Sequence, residues 1–199
     1  MNPIVRYIFI LISITMLFSC KSEEVYIPKP RSFPKVEYPV KAFQSFDQDY
    51  CDFEFSYPSY SLIKQDEYFF EDKPTHPCWF DIVTPAFNAT LHCSYYSIDK
   101  KTSMDKLVND AFKMAGKHNV KAEYYSERVI KRKGKVGGVV FEIEGDVATP
   151  IQFFLTDSTN HFFRASLYFN NKVHPDSMAP IYQFIKTDID TLINTLQWN

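Results

Sequence analysis

Apolar and polar positions follow two rhythms along this chain. Cys51, Phe53, Phe55 and Tyr57 alternate with Asp52, Glu54 and Ser56, a period of two that predicts a strand with one buried face, stopped at Pro58. A polar loop rich in aspartate and glutamate follows, and Cys78–Val83 predicts a second strand, broken by Pro85. Phe87, Ala89, Leu91, Cys93 and Tyr95 line one face of a third strand, opposite Asn88, Thr90, His92, Ser94 and Tyr96. The period then changes: Met104, Leu107, Val108, Ala111, Met114 and Ala115 form one stripe of an amphipathic helix, with Thr102 and Asp105 spaced as a capping pair. Strand-like runs return around Tyr124–Ile130 and Gly138–Glu144. "IQFFLTD" and "HFFRASLYF" then face each other across Asp157–Asn160 as a hairpin. Ile181, Phe184, Ile185, Ile189, Leu192, Ile193 and Leu196 restore helical spacing, with Pro180 expected in the first turn and Asp176 or Ser177 as the cap.

Strands, a helix, more strands and a final helix predict an α+β fold, an antiparallel β-sheet with two main helices packed on it. That order resembles the Mog1/PsbP-like arrangement, an analogy of topology alone. Ahead of the domain, Ile8–Phe18 is apolar but for Ser13 and Thr15, too short for a settled span of about 20 residues and matched to the core of an export signal. Leu17-Phe18-Ser19-Cys20 resembles the lipobox of bacterial lipoproteins, although Phe18 is bulkier than the usual residue there. The resemblance implies cleavage before Cys20 and a diacylglycerol on its thiol, so that the partner at this end is the lipid bilayer. Pro28, Pro30, Pro34 and Pro39 then favour extended backbone. The expected division is 1–19 signal peptide, 20–46 lipidated cysteine and proline-rich tether, and 47–199 a single globular domain.

A net charge of −2 supplies no field for nucleic acid, so none is expected as a partner. Lys29, Arg31 and Lys35 make the tether basic and are candidate contacts for anionic headgroups or a partner's acidic groove, although three such charges are more often simply solvated. Phe33, Val36, Tyr38 and Phe43 are interleaved with or follow them, so part of the segment is expected to lie against the domain or a partner. Export implies an oxidising compartment. Of Cys51, Cys78 and Cys93, the first two begin adjacent predicted strands and are the expected bridge; a pairing that uses Cys93 is the alternative. His76, Cys78 and His92 lack metal-ligand spacing, no cysteine shows an adjacent base, and no cofactor motif is present. "KRKGKVGG" lacks the phosphate-loop pattern and is expected as a solvated hairpin tip, and Glu142 and Glu144 as a solvated strand face. No metal site, cofactor or catalytic residue is therefore assigned.

Several stretches together carry a family resemblance: "YIPKPRSFPKVEYP", "CDFEFSYP", "HPCWFDIVTPAFNATLHCSY", "QFFLTDSTNHFFRASLYFN" and "DSMAPIYQFIKTDIDTLINTLQW". In this order they resemble the gliding-motility lipoprotein GldD family. The resemblance implies a cell-envelope lipoprotein required for gliding, tied to the gliding machinery and the type IX secretion system, with no enzymatic activity. It also implies that Cys20 carries lipid and that Cys51 pairs with Cys78, with Cys93 a departure. Outer-membrane residence is expected, on a face left open. An envelope ligand- or glycan-binding lipoprotein using the many aromatic residues is the alternative, and an envelope hydrolase a more distant one.

Overall fold

In the computed structural model the described residues are 3–4, 35–65, 76–118, 122–170 and 175–199, without the side chains of 175–177. The chain divides into two units, residues 1–35 and 36–199, and the elements below lie in the second. Seven antiparallel strands make the larger sheet, in the order β3-β4-β5-β9-β8-β7-β6: β3 (Leu62–Gln65), β4 (Phe80–Thr84), β5 (Ala89–Ser97), β6 (Ala122–Arg132), β7 (Val136–Gly145), β8 (Ile151–Thr156) and β9 (His161–Phe169). A smaller antiparallel sheet has the order β1-β2-β10, built from β1 (Phe43–Asp47), β2 (Phe53–Pro58) and β10 (Gln197–Trp198). Helix α1 spans Met104–His118 and α2 spans Pro175–Thr195. The fold is α+β.

Alternation along the strands sorts the core into two layers. Phe153, Leu155, Phe163, Leu91 and Phe80 project to one side of the larger sheet, where Phe53 and Phe55 of β2 and Ile185, Ile189 and Leu192 of α2 meet them. Phe141, Phe154 and Phe162 project to the other side against Leu107, Ala111 and Ala115, the stripe predicted for α1. Every residue of β8 is buried, because this central strand is covered on both faces. The phenylalanines stack: Phe46 lies 4.5 Å from Phe80 and 4.7 Å from Phe55, ring centre to ring centre. Contacts of this kind add about 0.5–1.5 kcal/mol each beyond the area they bury. The aromatic richness of the chain is thus largely core. At Gly138 the strands approach so closely that a Cβ would stand 1.9 Å from the carbonyl oxygen of Phe154, which only glycine avoids.

Three details differ from the sequence reading. The first strand lies at Phe43–Asp47, in a stretch assigned mostly to the tether; just before it, as expected from the interleaved apolar residues, Val36 lies against the core and Tyr38 is 5.0 Å from the Phe184 ring. Ser103, rather than Thr102, caps α1, its Oγ accepting the Lys106 N–H at 3.4 Å, while Asp99 holds the preceding turn through the N–H groups of Lys101 and Thr102. Helix α2 begins at Pro175, so Pro180 sits inside it rather than in its first turn. There the missing N–H costs one hydrogen bond close to the helix start, where least depends on it.

Candidate interaction cleft

The expected anchor and two of the expected contact residues, Cys20, Lys29 and Arg31, lie outside the described residues. Lys35 is exposed at the start of the described segment. Cys51 and Cys78 are joined as a disulfide with their Cα atoms 5.3 Å apart, stapling the start of β2 to the approach of β4. Cys93 is a buried thiol of β5 whose S–H donates to the Leu91 carbonyl at 3.5 Å.

The histidines considered with them are engaged apart from one another. His76 accepts the Cys78 N–H at 3.2 Å, and burial lowers its pKa against the pull of Asp52. His92 pairs with Asp81 at 2.6 Å, its register partner on β4. Near the disulfide, Tyr95 hydroxyl and His161 Nδ1 share a 2.6 Å hydrogen bond, with Asp52 at 3.5 Å from the same hydroxyl. Burial pushes the Tyr95 phenol up to about 12, and the ring is sealed in the core. His161 in turn stacks on Trp198 at 5.1 Å. This polar set fastens β2, β5, β9 and β10 together at one end of the sheets, and its central hydroxyl has no access to a substrate.

A roomy concavity lies elsewhere, a half-open cleft of about 350 Å³ between the end of β7, the start of β6 and the N-terminal half of α2. Its apolar lining comes from Val147, Phe169 and Met178, with the Tyr182 ring beside them, and Glu123 and Glu144 stand in its wall. No serine, cysteine, threonine, histidine or lysine lines it among the described residues. The position of Glu123 depends on an irregularity of β6. Tyr125 packs in the α1 layer, whereas Arg128 and Ile130 belong to the α2 side. Strict alternation would send Glu123 with Tyr125, but the register shifts between Ala122 and Tyr124 and leaves Glu123 as the extra residue. A bulge of this kind re-aims one side chain.

Below the cleft a chain of charges ties β6 and β7 to α2. Arg128 donates to Asp190 at 2.8 Å and lies 3.8 Å from Glu142, to which Lys186 also donates. Burial first, and then the carboxylates of Glu142, Glu144 and Asp190, raise the Tyr182 phenol far above its ordinary value, with Arg128 opposing. Tyr182 therefore stays neutral beside these carboxylates. Sequence reasoning missed this cleft because its parts are far apart in the chain. The solvated face expected at Glu142 and Glu144 is in fact split: Glu142 is half-buried in ion pairs and Glu144 is exposed at the cleft. Arg132, expected at a solvated tip, turns back to donate to the carbonyls of Ile193 and Leu196 and so caps the end of α2.

The family model for the gliding motility lipoprotein GldD matches residues 23–198. The chain belongs to the GldD family. It is accordingly a gliding-motility lipoprotein of the cell envelope, in a family that is not a known family of enzymes. No curated protein matches it. Among solved structures, the cyanobacterial PsbP (CyanoP) of Synechocystis sp. PCC 6803, determined in solution, is similar over 81% of this chain and 95% of its own, with 9% identity and a TM-score of 0.50. That likeness concerns the fold alone and identifies this GldD domain as PsbP-like.

Proposed function

We propose that this protein is a lipid-anchored, non-catalytic component of the gliding machinery and its type IX secretion system, held at the outer membrane by acylated Cys20. On this reading residues 1–19 are a signal peptide, the chain from Cys20 is a lipidated tether leading into the folded unit of residues 36–199, and that unit is an adaptor for machinery proteins. The family match from residue 23 to residue 198 carries the reading, because it begins just after the lipobox cysteine and takes in the whole domain. The described lining of the cleft offers carboxylates and apolar surface, features that suit the docking of a partner. Two or more acyl chains on Cys20 supply stable membrane attachment at about 0.8 kcal/mol per buried methylene.

The test is genetic. A strain of the native host lacking the gene fails to spread over a surface, the intact gene restores spreading, and a Cys20→Ala form that accumulates to normal levels does not. Normal spreading of the deletion strain, or full rescue by Cys20→Ala, contradicts the proposal.

A further inference from the structure

We propose that the cleft between β7, the bulge of β6 and α2 seats a basic peptide segment of a protein partner, one that presents lysine or arginine beside apolar side chains. The inference rests on the adaptor reading above and names the chemistry of what the adaptor holds. Two features of the cleft argue for this occupant.

The first is charge. Glu123 and Glu144 are at the cleft, and Asp146 is exposed next to it on the loop after β7; none of the three forms an ion pair with a described residue. Among the described residues the cations below the cleft are already committed, Arg128 to Asp190 and Glu142, and Lys186 to Glu142. The described charges left at the cleft are therefore negative. A cation arriving on a ligand finds carboxylates that no side chain of the described protein neutralises, which is the complementarity that steers and orients association.

The second is shape and position. Met178, Phe169, Val147 and Tyr182 provide an apolar bed beside those carboxylates, and Met adapts to varied side chains. Glu123 brings the cleft to β6, which ends the larger sheet and among the described strands pairs only with β7. Tyr124, the residue after Glu123, is 58% exposed there. An edge strand offers backbone hydrogen bonds to an extended chain, a handle that a small organic cation cannot use. Charge, apolar bed and open edge together fit a peptide.

The probe is a short dye-labelled peptide alternating lysine and valine, with a control carrying glutamate in place of lysine. Both are titrated against the full acylated chain in detergent micelles by fluorescence anisotropy. The lysine peptide binds and the glutamate peptide does not. The double variant Glu123→Gln/Glu144→Gln weakens binding about tenfold and flattens its salt dependence. Met178→Lys, which brings a fixed cation to the same place, weakens it at least as much. Circular dichroism and thermal midpoints confirm that each variant is folded. Absence of binding by the intact chain, equal affinity for both peptides, or unchanged affinity in both variants overturns the proposal. So does a dimer, seen in sedimentation, that the double variant dissociates, since a second copy would then occupy the cleft. None of these outcomes bears on the anchored motility role, which the spreading of the Cys20→Ala strain decides separately.

Discussion

Asp157 shows how much local structure one carboxylate can hold. Its Oδ1 accepts the backbone N–H groups of Thr159, Asn160 and His161 at 2.8–2.9 Å, and its Oδ2 accepts the Thr159 hydroxyl at 2.7 Å. Ser158 can then take its left-handed backbone, φ 67°, which closes the β8–β9 hairpin. Burial alone would raise the carboxyl's pKa, but the Thr159 hydroxyl and the three N–H groups hold it well below its ordinary value. The folded state therefore binds this proton less readily than the unfolded chain. Its contribution to stability is full above the unfolded value of about 3.9 and fades as pH falls below it. Asp157→Asn should cost about 1 kcal/mol in urea unfolding at neutral pH, and the gap from the parent should narrow in acid. A gap that is absent at neutral pH, or that widens in acid, contradicts this assignment.

At the scale of the element, α2 is held by side chains from distant parts of the chain. Lys41, just before β1, donates to Asp188 Oδ1 at 2.5 Å, to the Thr187 hydroxyl at 2.5 Å and to the Phe184 carbonyl at 2.7 Å. The same ammonium stands 3.8 Å from the centre of the Phe184 ring, and Tyr60 donates to the other oxygen of Asp188. Asp188 is 5% exposed, so removal of the cation strands a carboxylate in the interior. Lys41→Met should lower stability by about 2–3 kcal/mol, and adding Asp188→Leu should recover part of that loss, because the unpaired charge goes with it. A Lys41→Met protein within about 0.5 kcal/mol of the parent would show the clamp to be idle.

The same elements show what the sequence could disclose. Strands β2, β5 and β9 and both helices were legible because each buries one face at its own period, as the Phe53–Phe55 alternation and the Leu107–Ala111–Ala115 stripe do, and β8 because it is a short apolar run ending at a turn. Strands β3 and β10 were not, being four and two residues long with little buried surface to mark them. β1 was hidden by the prolines before it, and only Phe46 of its five residues is buried. The cleft was the least legible feature. It depends on a register shift at Glu123 and on the meeting of β7 with α2, and neither leaves a local pattern in the residues.

At the scale of the whole molecule, two layers of aromatic and aliphatic side chains clasp one antiparallel sheet, a disulfide fastens its margin, and an acidic cleft remains open. The Cys51–Cys78 bridge closes a separation of 27 residues, worth about 3.5 kcal/mol through the unfolded state, and such bonds persist where the surroundings are oxidising. A PsbP-like domain can serve many ends, so the location of this one has to come from the chain ahead of it. Everything proposed for its work in motility supposes attachment to a membrane through position 20. Mass spectrometry of the protein purified from envelopes of its native host addresses that directly. The predicted result is a mature chain that begins at Cys20 and carries a diacylglycerol on its sulfur, and a chain with an unacylated Cys20 would contradict it.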